Sequence, residues 1–386
     1  MIRSAIDYGR SFATGLVDAR LRALMRAHLG KPSTAVVYDG DQALRSAVGY
    51  LLRAQQQGTD AGLGSYHLIQ GWGASYPETT GYAIPSLLAA AVHLNWEEPA
   101  QAATRATDWL LSIQRPDGGW QGGRVGEERP SIVFNTAQVI RGMLAMHAHT
   151  SEQRYLESAA RAGRWIVSVQ DADGAWRRSN FLGVARVYDT YVDAPLMQLA
   201  IAIGDQALKQ AALRNLGWVL AQRKETGWFM NADNTIRHND RPITHTIAYT
   251  LDGLIECSAL TGDDRYREAA LPAARKLAEL FHAHGRLNGR YDENWNGSEH
   301  AIMTGCAQLA IVWSRLDHDT LMREARDRML SMLAAIQARS SVGPAMVKGA
   351  MPGSFPLWGR YEKFAFPNWG TKYFVDALLC QKRIAP

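Results

Sequence analysis

A polar entrance that runs into an apolar, helix-length segment occurs six times along this chain. The markers of the six copies are Thr79, Asn135, Thr190, His245, Thr304 and Trp369, and the gaps between them are 56, 55, 55, 59 and 65 residues. A repeat of this length corresponds to one helical hairpin with a loop, which buries its apolar face only against neighbouring hairpins. The pattern therefore predicts an all-α fold. We favour a closed (α/α)6 toroid over an open solenoid, because six hairpins can close a ring and the chain ends just after the sixth segment.

A second signature ends three of the outer helices. Gln114–Trp120 and Gln170–Trp176 share a Gln, an Asp-Gly turn and a Trp, and Gln222–Trp228 is a weaker copy. Asp-Gly is typical of tight turns. We interpret the three Trp residues as core side chains that close the ends of the hairpins.

Composition and charge limit the classes of function. The 42 Lys+Arg against 37 Asp+Glu give a formal charge of +5, which is compatible with an acidic substrate. No Lys/Arg run indicates nucleic-acid binding. The three cysteines lack metal-ligand spacing, so we expect no metal and no cofactor. The sequence has no bilayer-length apolar segment and no signal-peptide pattern, and we expect a cytoplasmic protein without a membrane span.

Two regions are expected. Residues 1–40 stand outside the repeat, and an apolar stripe between Ala13 and Leu29 predicts an extra N-terminal helix lying on the toroid. Residues 41–386 form the predicted toroid domain.

The repeated turns carry two resemblances. The Gln…Asp-Gly-x-Trp turns resemble the QW motifs of terpenoid cyclase and prenyltransferase toroids. The turn Thr261–Tyr266 resembles those of six-hairpin carbohydrate enzymes, which include unsaturated glucuronyl hydrolases, sugar epimerases, uronate lyases and glucuronyl C5-epimerases. Both resemblances imply the toroid fold. A terpenoid cyclase is further expected to carry an Asp-x-Asp-Asp or Asp-Asp-x-x-Asp motif, and neither motif occurs in this sequence.

A third resemblance covers most of the chain. Gly71–Tyr82, His245–Tyr249, Gly349–Trp358 and Pro367–Lys372 are similar to an uncharacterised bacterial group found among polysaccharide-biosynthesis proteins. This resemblance implies a setting in polysaccharide metabolism.

If the inner helices all begin at one rim, their entrances meet at a central cavity. Aromatic rings with amide and carboxylate groups beside them are suited to binding sugars. The candidate catalytic residues are His245, Tyr188, Tyr191, Tyr249, Glu78 and Asp189. The candidate substrate-binding residues are Tyr76, Asn135, Gln138, Asp292, Trp295, Lys348, Trp358, Tyr361, Asn368, Trp369 and Lys372.

We favour lyase or C5-epimerase action on a uronate-containing glycan. Such a reaction needs a base, an acid and groups that neutralise the uronate carboxylate, roles open to His and Tyr and to Asn135, Lys348 or Lys372. Glycoside hydrolysis by a carboxylate pair drawn from Glu78, Asp189, Asp193 and Asp292 is the alternative. A terpenoid-cyclase-like enzyme and a non-catalytic glycan-binding protein are two further alternatives.

Overall fold

The computed structural model describes residues 18–236 and 240–384, and thirteen α-helices lie in these two ranges. After α1 (Ala19–Ala27), outer and inner helices alternate along the chain. The outer helices are α2 (Gly40–Gln56), α4 (Glu98–Ser112), α6 (Gln153–Ser168), α8 (Gln206–Leu220), α10 (Asp264–His284) and α12 (Thr320–Ser340). The inner helices are α3 (Pro77–Leu94), α5 (Val133–Thr150), α7 (Thr190–Ile203), α9 (Thr244–Thr261), α11 (Met303–Arg315) and α13 (Asn368–Gln381).

The inner helices form a closed ring. Each packs against the next in chain order, and α13 packs against α3, while α2 covers α13 from outside. The prediction of a closed (α/α)6 toroid is therefore confirmed. Inner helices are surrounded by protein, and thirteen of the eighteen residues of α3 are buried. Small residues permit close packing: a Cβ on Gly81 would lie 2.6 Å from the Cα of Val139, so α3 and α5 approach closely only because Gly81 has no side chain.

Local sequence signals set the helix ends. Pro77 occupies the first turn of α3, where its missing N–H costs nothing. Gly262 ends α9 with φ +74°, and the side chain of Asp263 caps α10 by accepting from the backbone N of Arg265 at 3.0 Å.

The Gln…Trp turns join neighbouring hairpins. Trp120 is fully buried and its Nε1 donates to the carbonyl of Leu110 at 2.8 Å. Gln114 Nε2 donates to the carbonyls of Gly118 and Ser158, at 2.8 and 3.0 Å, and so ties the turn to α6. Trp176 and Trp228 are buried in the same way, which confirms the interpretation of these residues as core.

The N-terminal helix begins at Ala19, inside the predicted stripe. Helix α1 is capped by Asp18 and packs against α12, with Leu21 and Leu24 buried. The first part of the stripe, residues 13–17, lies outside the described residues.

Short strands connect the helices at the rim of the ring. They are β1 (Tyr66–His67), β2 (Gly71–Trp72), β3 (Arg290–Tyr291), β4 (Gly297–Ser298), β5 (Ala301–Ile302), β6 (Ser354–Phe355) and β7 (Ala365–Phe366). The strands β2, β1 and β7 form one antiparallel sheet in that order, and β3–β4 and β5–β6 form two antiparallel pairs. The pairing of β1 with β7 ties the first hairpin loop to the last.

Candidate active site in the central cavity

Five of the six inner-helix entrances contribute to a cavity of about 340 Å³, and α11 contributes no lining residue. Helices α3, α5, α9 and α13 and the segment before α7 contribute side chains to its wall, as expected for inner helices that begin at one rim. Eight of the predicted site residues line this cavity: Tyr76, Glu78, Asn135, Tyr188, His245, Tyr249, Tyr361 and Trp369.

Glu78 is the most buried carboxyl group in the cavity wall. It is 9% exposed, and burial raises its pKa from 4.5 to about 7, although a hydrogen bond with Tyr76 acts in the opposite direction. The Oη atom of Tyr76 also accepts from Asn135 Nδ2 at 3.4 Å. Glu78 is therefore half protonated near neutral pH and can donate a proton.

His245 is a neutral imidazole in the opposite wall. Its Nδ1 lies 2.6 Å from Oε1 of Gln308, and in the tautomer that carries the ring proton on Nδ1 it donates to that amide oxygen. The lone pair is then on Nε2. Burial lowers the pKa of His245 to about 4, so the ring is uncharged at neutral pH and can act as a base. Its ring centroid lies 4.5 Å from that of Tyr249, one helical turn further along α9.

The order of helices in the ring sets the relation between these two groups. The sequence α3, α5, α7, α9, α11, α13 places α3 and α9 three steps apart in a ring of six. Glu78 on α3 and His245 on α9 thus approach the cavity from opposite sides. A proton donor and a proton acceptor face the same space.

The mouth of the cavity carries charges that the sequence analysis missed. Arg124, Glu127 and Arg129 come from the loop between α4 and α5, and Glu362 comes from the segment before β7. Arg129 pairs with Glu127 at 2.8 Å, whereas no ion pair of Arg124 is found among the described residues. The only signal in the sequence was a glycine-rich stretch, residues 122–126, just before the second entrance. Phe181 and Asn234 also line the mouth and were not predicted.

Two predicted residues lie in a second cavity instead. Tyr191 and Lys372 line a space of about 180 Å³ that is separated from the central cavity by Tyr82, which lines both. Lys372 Nζ lies 2.6 Å from Asp376 Oδ2, within a buried ion pair, and Arg141 forms a similar pair with a glutamate on α9. The expectation that Lys372 lies at the central cavity and neutralises a substrate carboxylate there is wrong, because its side chain lines the second cavity and is paired with Asp376.

Three other predicted residues are buried behind the wall. Asp189 is fully buried and accepts from Asn180 Nδ2 at 2.6 Å. Gln138 donates to the carbonyl of Tyr191 at 3.0 Å, and Asn368 donates to the carbonyl of Gly64 at 3.0 Å. Their polar atoms hold backbone or neighbouring side chains, and none of the three lines the cavity.

The remaining predicted residues lie on outer parts of the toroid. Asp292 accepts from backbone N atoms of its own turn, and Trp295 packs at an outer hairpin end with its Nε1 donating to the carbonyl of Thr226 at 3.1 Å. Lys348 is exposed, and Trp358 lines two other surface cavities. Of the predicted residues between Lys348 and Tyr361, Tyr361 alone lines the central cavity.

No group of three or more His, Cys, Asp or Glu side chains within residues 18–236 and 240–384 is arranged to hold a metal ion. Within the same residues, no helix is long and apolar enough to cross a membrane.

The chain is similar in sequence to squalene–hopene cyclases and similar in structure to carbohydrate-active toroids. The model of the squalene–hopene cyclase C-terminal domain matches residues 85–251. A squalene–hopene cyclase of Zymomonas mobilis is 28% identical over 189 residues, which represent 46% of this chain and 25% of the relative. The chain thus matches about a quarter of the length of that curated protein.

Solved structures match a larger part of the chain. An unsaturated glucuronyl hydrolase specific for heparin superimposes with a TM-score of 0.70 at 15% identity, covering 89% of this chain and 97% of the other. The cellobiose 2-epimerase of Bacillus thermoamylovorans gives 0.68 at 13% identity, with 88% and 96% covered. A polysaccharide lyase gives 0.63 at 11% identity, with 89% and 96% covered. The chain is a six-hairpin α/α toroid. This agrees with both superfamily resemblances drawn from the repeated turns.

Proposed function

We propose that this toroid is an enzyme that transfers protons at the carbon next to the carboxylate of a uronate-containing glycan, as a lyase or a C5-epimerase. The observation that carries the proposal is the pair of neutral groups on opposite walls, His245 with a lone pair and Glu78 with a proton near neutral pH. Groups whose pKa values are displaced by burial inside a cavity are typical of catalytic sites.

The proposed reaction starts at His245. Nε2 removes the proton from C5 of the uronate, and the electron pair moves into the carboxylate. In epimerisation, Glu78 returns a proton to the opposite face of the same carbon. In elimination, the electron pair forms a C4–C5 double bond, the C4–O bond breaks, and Glu78 protonates the leaving oxygen. In both cases His245 gains one proton and Glu78 loses one, and exchange with solvent restores them.

The substrate carboxylate needs a cation or strong hydrogen-bond donors next to it. Arg124 at the mouth is our candidate, because it lines the cavity and a guanidinium binds a carboxylate through two parallel hydrogen bonds. Arg124 takes the role that the sequence analysis assigned to Lys348 and Lys372. The aromatic walls formed by Tyr188, Trp369 and their neighbours supply surfaces for sugar rings.

The comparisons support glycans over other substrates. The structural neighbours named above are a glucuronyl hydrolase, a sugar epimerase and a polysaccharide lyase, and each aligns over most of its length. Hydrolysis is the second candidate, because the raised pKa of Glu78 also suits the acid of a glycosidase and Glu127 and Glu362 lie in the same cavity.

The cyclase similarity supports terpenoid chemistry less strongly than the structural neighbours support glycan chemistry. The matched residues 85–251 contain the repeated Gln…Trp turns, which are structural here. The acidic motif that a cyclase is expected to use is absent from the sequence. We therefore interpret that similarity as one of architecture.

The cytoplasmic location, the absence of a nucleic-acid partner and the division at residue 40 are proposals that rest on the sequence.

The deciding experiment incubates the protein with a panel of uronate polymers in D2O and, in a separate reaction, with squalene. Ultraviolet absorbance of an unsaturated uronate identifies a lyase, and deuterium at C5 without chain cleavage identifies an epimerase. New reducing ends without that absorbance indicate a hydrolase, and products from squalene indicate a cyclase; either result would refute the proposal. Binding without any product would indicate a glycan-binding protein.

Variants assign the roles. Glu78→Gln and His245→Ala should both lose turnover, while Asp292→Asn, which changes a carboxylate in an outer turn, should keep it. A hydrolase that uses Glu78 as its acid should lose activity with Glu78→Gln and keep it with His245→Ala, whereas the proposed lyase or epimerase should lose turnover in both variants. Wild-type turnover by His245→Ala would exclude His245 as the base.

A further inference from the structure

An aromatic side chain stands exposed at the mouth of the central cavity. Phe181 lines the cavity, yet 37% of its surface is accessible to solvent. The next residue, Leu182, is 40% exposed and has φ +59°, a left-handed conformation that a Leu side chain disfavours. Exposed apolar surface on a strained turn adds little to the stability of the fold, so another role for this turn has to be considered.

The turn is held by buried polar groups. Phe181–Gly183 is a single turn of 310 helix, and the preceding Asn180 is only 3% exposed. Asn180 Oδ1 accepts from the backbone N of Phe181 at 2.8 Å, while its Nδ2 donates to Asp189 Oδ2 at 2.6 Å and to the carbonyl of Trp176 at 3.3 Å. The position of Phe181 is thus fixed from the residue directly before it.

Asp189 makes this arrangement costly. It is completely buried at the start of α7, and its Oδ1 has no hydrogen-bond partner among the described residues. Burying a carboxyl group with incomplete hydrogen bonding is unfavourable. Its Oδ2 accepts from the side-chain amide of Asn180. A buried acid therefore serves to orient the residue that sets Phe181 in place.

We propose that Phe181 is an aromatic platform for a second sugar unit, one position outward from the unit between Glu78 and His245, with Asn180 and Asp189 as positioning residues. The inference rests on the proposed function and extends it, because it makes the ligand an oligosaccharide or polysaccharide. A rigid ring at the mouth offers an apolar face on which the C–H face of a pyranose can stack. Asp189, a catalytic candidate from the sequence, acts through Asn180 and does not touch the substrate.

The first test measures binding against ligand length by calorimetry. The ligands are a uronic acid monosaccharide and the disaccharide, tetrasaccharide and hexasaccharide from one uronate polymer. Phe181→Ala should weaken binding of the longer ligands about tenfold, the effect of one aromatic contact, and leave the monosaccharide unaffected. Phe181→Trp should keep the affinity, and Leu182→Ala, the matched control, should behave like wild type. An equal loss at every length, or no loss at any length, would overturn the platform.

The second test addresses the positioning residues. Asn180→Ala and Asp189→Ala should reproduce the length-dependent loss of affinity. Asp189→Asn should keep the wild-type affinity for the longer ligands, because the amide oxygen can still accept from Asn180. If these variants only lowered the melting midpoint and left the dependence on length intact, the positioning role would be refuted.

Failure of the platform is separable from failure of the proposed function. Binding is measured without turnover, so a length dependence that disappears in Phe181→Ala supports the platform even where no product forms. Absence of turnover on every uronate polymer would refute the lyase or epimerase alone. Absence of binding at every length would refute the platform as well.

Discussion

Replacement of Glu78 by Gln should stabilise the protein, and the gain should depend on pH. The pKa of an unfolded glutamic acid is near 4.5, and burial raises that of Glu78 to about 7 in the folded protein. Between these values the unfolded chain releases a proton that the folded chain keeps, so the free energy of unfolding falls as pH rises. At about 1.4 kcal/mol per pH unit, the loss reaches about 3 kcal/mol at and above pH 7. Because Gln does not titrate, the free energy of unfolding of Glu78→Gln does not contain this loss.

Urea unfolding of the wild type and of Glu78→Gln at pH values from 4 to 8 measures the effect. The difference in free energy of unfolding should increase through pH 4.5 to 7 and then level off. Other buried acids, such as Asp189, whose pKa is raised to about 8, cancel because both proteins contain them. Glu127→Gln, which changes an exposed carboxylate of the same cavity, is the matched control for the loss of a carboxylate. A difference that stays constant with pH would show that Glu78 is ionised in the folded protein and would remove it as the acid.

Further predictions follow from the same geometry. Wild-type turnover should fall above about pH 7, where Glu78 loses its proton, and below about pH 4, where His245 gains one, and a pH–rate profile measures both limbs. Turnover of His245→Ala should be lower by about two to four orders of magnitude, with an unchanged melting midpoint. Trp120→Ala should lower the free energy of unfolding by about 3 to 5 kcal/mol while glycan binding at low temperature survives, since the ring is core. Lys372→Met should destabilise by about 3 to 5 kcal/mol in urea, because it leaves Asp376 buried without its partner.

The fold was predictable because its signal is repeated. Each entrance is weak evidence alone, but six copies at nearly one period fix the number of hairpins and their order. The Trp side chains at the hairpin ends were predictable for the same reason, since Trp120 and Trp176 follow identical turn chemistry. Their burial follows from the repeated architecture and could be predicted without knowing any distance between residues.

The site was predictable only where it lies on the helices. Glu78, Asn135 and His245 start inner helices, so closing the ring brings them to one cavity. The loops have no period, and apart from the glycine-rich stretch at residues 122–126 the sequence did not indicate that Arg124 would reach the mouth while Lys348 would stay outside. Polar residues one or two helical turns further in, such as Lys372, were misplaced because the entrance pattern does not give depth.

The position of a residue along its inner helix also connects the repeat with the proposed chemistry. Glu78 directly precedes the first marker and His245 is the fourth, so they occupy nearly the same level of two inner helices. Three steps in a ring of six place those helices opposite each other. A helix turns by 100° per residue, so an acid moved to position 79, which also lines the cavity, would be rotated by 100° from the direction in which Glu78 faces His245. The pairing of an acid with a base across one sugar therefore requires both the closed ring and the register of its first and fourth entrances, and a variant that carries the acid at position 79, Glu78→Thr with Thr79→Glu, should fold as a toroid but fail to support turnover.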